Sequence, residues 1–137
     1  MMKEYFENLG FEIDGILHLT GNQALICLQK ESVLLDVRED FEIAIKDFGI
    51  IGTLWCPFSD FDKLMSTLPR DKALIAADCV GIHSKDAVRK LLNAGFTKVA
   101  NLAGGIADWE KDGLPMKKDI ESMNGQCPCM IKSRKNN

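Results

Sequence analysis

The chain has 137 residues, 46% hydrophobic and 27% charged, the balance of one globular domain around one core. Its formal net charge of −3 and pI near 5.4 provide no basic field to recruit nucleic acid, and no apolar run approaches the roughly 20 residues needed to span a bilayer. The amino terminus, M-M-K-E-Y-F-E-N, has early charge and no signal-peptide segment, which points to the cytoplasm, where thiols stay reduced. The five cysteines, Cys27, Cys56, Cys79, Cys127 and Cys129, therefore read as thiols, nucleophiles or ligands before structural disulfides.

Residues 1–15 read as an amino-terminal extension. Lys3 to Leu9 suits a helical turn or two ending at Gly10, and Asp14-Gly15 signals a turn. A domain over residues 16–116 follows. Ile16 to Leu19 is a short strand, and Thr20 caps a helix bearing Ala24, Leu25 and Leu28, with Cys27 as a small buried hydrophobe. Val33 to Val37 is a nearly continuous apolar run, as in a strand covered on both faces. Arg38-Glu39-Asp40 leaves it as a polar loop, and a short helix over Phe41 to Phe48 is broken by Gly49. Ile50 to Leu54 is a further strand candidate, ended by Trp55-Cys56-Pro57, where Cys56 reads as structural. Ser59 is placed to cap a helix over Asp60 to Leu68, whose Phe61, Leu64, Met65 and Leu68 share one face.

The central unit runs from Ala73 to Trp109. An apolar strand, Ala73 to Ala77, leads into the loop Asp78 to His83. Ser84 then caps a helix with Ala87, Val88, Leu91 and Leu92 as its buried stripe and Gly95 as its stop. Val99 to Leu102 is the next strand, Gly104-Gly105 the turn, and Ile106 to Lys111 the last helix, with Trp109 in the core. Strands alternating with helices predict an α/β three-layer sandwich around a mostly parallel sheet, whose sites lie at the carboxyl ends of the strands. Asp36 and Asp78-Cys79 both fall at such ends and are expected to be neighbours.

Cys79 lies between a strand end and a helix start. Unpartnered N–H groups and the helix dipole there favour a thiolate and can cradle an anion or a persulfide. His83 and Lys85 would add positive charge. Cys79 is thus the candidate nucleophile, with an incidental thiol as the bland alternative.

These pieces together resemble the rhodanese-like domain. The resemblance rests on Leu34-Leu35-Asp36-Val37-Arg38-Glu39, on Ala94-Gly95-Phe96, and on Asn101-Leu102-Ala103-Gly104-Gly105-Ile106-Ala107-Asp108-Trp109 followed by Gly113-Leu114-Pro115. It implies a five-stranded parallel sheet and sulfurtransferase chemistry, in which a loop cysteine accepts a sulfane sulfur and passes it on. A small sulfur-donor anion and a protein thiol acceptor are the implied partners, and Asp36 and Arg38 are implied to order the loop. The family's active loop reads C-x-x-G-x-R-S. Laid on without a gap, it puts Gly81 on the glycine, Ser84 on the serine, His83 on the arginine, and Asp78, not Cys79, on the cysteine. An aspartate cannot carry sulfur, and its charge repels thiosulfate. It would instead cap the helix dipole. The family's H-x-P-G-A piece is also missing, replaced by Asp47-Phe48-Gly49-Ile50-Ile51-Gly52.

Two readings follow. In one, Cys79 carries persulfide within an anion-binding loop of Val80, Gly81, Ile82, His83, Ser84 and Lys85. In the other, the degenerate loop leaves a catalytically inactive binding or regulatory domain. Residues 117–137 form a tail, basic at its end and without a clear period, where an extended or partly disordered segment is expected. Its Cys127-Pro128-Cys129 would serve as a sulfur relay, favoured by Lys132, Arg134 and Lys135. A metal site within one chain lacks a second cysteine pair. No nicotinamide, flavin or nucleotide fingerprint is present, so no organic cofactor is expected.

Overall fold

A computed structural model describes residues 6 and 8–118 of the chain. The expected turns between Lys3 and Leu9 lie largely outside the described residues, and the expected relay at Cys127 and Cys129 lies wholly outside them.

The strands are β1 (Phe11–Ile13), β2 (Ile16–Leu19), β3 (Val33–Asp36), β4 (Lys46–Asp47), β5 (Leu54–Trp55), β6 (Leu74–Ala77), β7 (Val99–Leu102) and β8 (Lys117–Lys118). The helices are α1 (Gly21–Leu28), α2 (Asp40–Ile45), α3 (Phe61–Leu64), α4 (His83–Asn93) and α5 (Gly105–Lys111). The main sheet has the order β1-β2-β7-β6-β3-β5, and β4 and β8 form a separate pair. The five strands from β2 to β5 are parallel, as expected. β1 adds an antiparallel edge through the turn at Asp14-Gly15.

Alternation along the central strands divides the core between the two faces of the sheet. Leu17, Leu34, Ile75, Ala77, Ala100 and Leu102 pack with Ala24, Cys27, Ile106 and Trp109. Ile16, Leu35, Leu74, Ala76 and Val99 pack with Phe61, Ala87, Val88 and Leu91. The strands are therefore covered on both sides, which is why they read as nearly continuous apolar runs.

Several boundaries differ from expectation. Thr20 caps α1 as predicted, in a reciprocal box with Gln23. Ser59 caps nothing; its Oγ donates to Glu39 Oε1 at 2.9 Å, and the segment after it breaks into 3-10 turns on either side of α3. The strand expected over Ile50 to Leu54 shrinks to Leu54–Trp55, because Gly49 and Gly52 take positive φ and turn the chain. Ile51 is consequently 99% exposed. The expected helix from Phe41 to Phe48 stops at Ile45, since β4 pairs with β8. That pairing also gives Lys117 and Lys118 strand geometry.

Candidate functional site

The site lies where β3 and β6 end side by side. Asp36 pairs in register with Ala77, and the Val37 N–H donates to the Ala77 carbonyl at 2.9 Å. The expected neighbourhood of Asp36 with Asp78 and Cys79 follows from this register.

Asp36 and Arg38 form one buried unit. Arg38 Nε donates to Asp36 Oδ1 at 3.0 Å and its NH2 to Oδ2 at 2.8 Å, while NH1 donates to the Lys46 carbonyl at 2.8 Å. The Trp55 indole N–H donates to the Arg38 carbonyl at 2.7 Å. The pair thus ties the chain after β3 to the end of α2 and to β5. Its bidentate geometry and third hydrogen bond supply the partners that a buried guanidinium needs.

The loop after β6 is held from two sides. The N–H groups of Ile106 and Ala107, in the first turn of α5, donate to the carbonyls of Asp78 at 2.9 Å and Cys79 at 3.1 Å. The Gly104-Gly105 turn permits this approach: a Cβ on Gly105 would stand 2.5 Å from the Asp78 and Cys79 carbonyl oxygens. The loop's own N–H groups converge on the Asp78 carboxylate. Gly81 donates to Oδ1, and His83 and Ser84 donate to Oδ2 at 2.7 and 3.2 Å.

This arrangement corrects the expectation for Ser84. It does not cap α4, which begins at His83; the buried Asp78 carboxylate receives the first N–H groups in its place. Ser84 points inward, where its Oγ donates to Asn101 Oδ1 at 2.5 Å. Asn101 in turn donates from Nδ2 to His18 Nδ1 at 3.1 Å. Burial, and then the charge of Lys85, push the His18 imidazole below its usual pKa. Lys85 therefore acts toward His18.

Cys79 faces the other way. Its Sγ donates to Glu42 Oε2 at 3.0 Å, and Glu42 Oε1 accepts the Glu39 N–H at 3.0 Å. The half-buried thiol borders a cleft of about 570 Å³ walled by Val37, Phe41, Phe58, Val80 and Ile82. Glu39, Glu42, Asp78, Arg38 and His83 also line it. The His83 ring stacks on Phe58, with centroids 4.9 Å apart and planes 3° from parallel. Chemically, a thiol beside a carboxylate in a largely apolar cleft can surrender its proton as the sulfur attacks. Cys27 and Cys56 are both buried. Burial, and then the charge of Asp60, push the Cys56 thiol up to about 11. Among the described residues no cluster of three His, Cys, Asp or Glu side chains could hold a metal ion, and no helix is long and apolar enough to cross a membrane.

The structure thus brings Asp78, Cys79, Val80, Ile82, His83 and Arg38, the last expected as loop support, to one cleft, and it adds Glu42, Asn101 and His18, which sequence reasoning missed. Glu42 carried a faint signal, the spacing of Glu39 and Glu42 at a helix start. That spacing announces a cap and says nothing of a thiol 37 residues further on.

A doubly covered parallel sheet with a strand–loop–helix unit at its carboxyl edge defines an α/β domain whose candidate site lies at the strand ends. The rhodanese-like domain family model matches residues 23–112, and the chain belongs to that family. It is 33% identical over 88 residues to a sulfurtransferase of Allochromatium vinosum, covering 64% of this chain and 79% of that protein. It is 34% identical over 98 residues to the tRNA uridine(34) hydroxylase of a Picosynechococcus species, of which it spans only 32%. The crystal structure of a rhodanese-related protein from Thermoplasma volcanium superposes with a TM-score of 0.67 at 26% identity, covering 74% of this chain and 98% of that one.

Proposed function

We propose that this rhodanese-like domain carries sulfane sulfur on Cys79. The observation that supports it is the Cys79 thiol, open to the cleft and 3.0 Å from a carboxylate that can take its proton. In the first step the Cys79 sulfur attacks the outer sulfur of a persulfide donor, R–S–SH, while Glu42 accepts the thiol proton. The donor's S–S bond breaks and R–S⁻ leaves, recovering that proton. In the second step an acceptor thiolate attacks the outer sulfur of the Cys79 persulfide and Cys79 leaves as thiolate. A protein thiol can accept the sulfur, and so can Cys127 or Cys129.

Thiosulfate is a poor donor in this account. The three N–H groups that would hold an anion already hold Asp78, and a second negative charge beside it is repelled. That occupancy also favours a second reading, a domain without sulfur transfer whose cleft only binds a partner.

Mass spectrometry of the full chain after treatment with inorganic polysulfide, and separately with thiosulfate, tests the proposal. Addition of one sulfur to Cys79 with polysulfide, abolished by Cys79→Ala, is the expected result. Absence of that mass at Cys79 with both donors favours the binding domain.

A further inference from the structure

We infer that the cleft beside Cys79 seats the chain's own carboxyl-terminal segment, residues 122–137, so that Cys127 or Cys129 exchanges sulfur with Cys79 within one molecule. This names the acceptor for the sulfur-carrying reading above and rests on it.

Charge is the first argument. Two glutamates, Glu39 and Glu42, line the cleft; Asp78 borders it as well, but its carboxylate is turned into the loop. Against them stand Arg38, engaged in bidentate fashion by Asp36, and the His83 ring. The cleft is therefore acidic, which suits a cationic partner. Residues 122–137 contain Lys132, Arg134 and Lys135 and no acidic side chain.

Apolar surface is the second. Phe41, Val80 and Ile82 are each about half exposed at the cleft, at 54%, 51% and 59%. In the segment, Met130 and Ile131 directly follow Cys129 and precede the cations, so one short stretch offers thiol, apolar and cationic groups in that order.

Reach is the third. The described chain ends at β8, which pairs with β4 immediately after α2. Lys117 borders a groove together with Asp40 and Ile43 of α2, and Phe41 and Glu42 of the same short helix border the Cys79 cleft. The segment has to cross only about one helix diameter, roughly 10–12 Å. Cys127 lies nine positions after Lys118, enough for about 30 Å of extended chain.

The exchange balances without an external oxidant. A Cys127 thiolate attacks the outer sulfur of the Cys79 persulfide, a new S–S bond forms on Cys127, and the old one breaks. The electron pair stays on Cys79 Sγ, which takes up the proton that Cys127 released.

Disulfide trapping tests the seat independently of persulfide chemistry. Full-length Cys129→Ser and Cys127→Ser proteins, each stripped of the competing ring between those two cysteines, are treated dilute with diamide and mapped without reduction. A monomeric bridge from Cys79 to the remaining tail cysteine is expected. Its rate should fall roughly fivefold in 0.5 M NaCl, and as much when Lys132, Arg134 and Lys135 are all changed to Glu. Bridges found only between molecules, or a rate indifferent to both salt and charge reversal, would overturn the inference. A trapped bridge with no sulfur added to Cys79 by polysulfide would leave the seat standing and remove the sulfur-carrying reading. Sulfur on Cys79 with no intramolecular bridge would do the reverse.

Discussion

Cys79 Sγ stands 3.0 Å from Glu42 Oε2, while the neighbouring Asp78 carboxylate turns into the loop to collect its N–H groups. Adjacent residues thus divide the two parts of the site. Asp78 occupies the cradle, and Cys79 faces the cleft. A carboxylate this close can receive the thiol proton as the sulfur attacks. Glu42→Gln removes that acceptor while keeping a similar shape, so alkylation of Cys79 by iodoacetamide at pH 7 should run roughly tenfold slower than in the parent. Peptide-resolved mass spectrometry gives the rate, and an unchanged rate would show that Glu42 does not act on the sulfur.

The cradle is built for a negative group and holds a carboxylate because residue 78 is Asp. Asp78→Cys puts a thiol at the focus of the Gly81, His83 and Ser84 N–H groups, where a thiolate and its persulfide gain the same donors. This variant should acquire sulfur on residue 78 from thiosulfate, detected as a mass increase at that peptide. Asp78→Ala leaves the donors buried without a partner and should cost about 2–3 kcal/mol in urea denaturation. A stability equal to the parent's would mean that water serves the donors equally well.

Arg38 and Asp36 are 2% and 1% exposed, so neither charge has solvent to fall back on. Arg38→Ala strands the Asp36 carboxylate and frees the Lys46 carbonyl, with an expected loss of about 3–5 kcal/mol. The double change Asp36→Asn with Arg38→Met removes both charges and should recover part of that loss. Equilibrium urea unfolding of the single and double variants measures the difference, and strict additivity would contradict a coupled pair.

The Cys56 thiol, pushed up to about 11 from 9.0, gives stability a defined alkaline limit. Below pH 9 both folded and unfolded chains keep the proton, and the burial contribution is fully present. Between pH 9 and about 11 the unfolded chain ionises first, so stability falls as pH rises through that window. The loss approaches about 2 kcal/mol by pH 11. In Cys56→Ala this part of the alkaline decline should vanish, although the variant starts from lower stability. Unfolding curves at pH 8 and pH 10.5 provide the comparison. An equal decline in both proteins would place the alkaline sensitivity elsewhere.

The architecture was legible because burial on both faces forces strands such as Val33 to Val37 and Leu74 to Ala77 to be almost wholly apolar, and periodicity records this locally. The glycines at 104 and 105 were legible too: the loop backbone leaves no room for a side chain at 105, and at 104 a Cβ would meet the Asp108 side chain. Ser84 and Ser59 were misread as caps because a cap is chosen by whichever acceptor reaches the free N–H groups. At α4 that acceptor came from six residues upstream of Ser84.

The amino-acid order by itself determined the family, the sheet and the loop that carries Cys79, because each depends on patterns within a few tens of residues. A gapless reading of the family's loop pattern also laid Asp78 on its cysteine. Only the tertiary structure decided that the Asp78 carboxylate enters the cradle and that Cys79 meets Glu42. Side-chain direction at a strand end follows the hydrogen-bond partners within reach: the loop's own N–H groups take the Asp78 carboxylate, α5 holds the Asp78 and Cys79 carbonyls, and α2 brings Glu42 to Cys79 from 37 residues upstream.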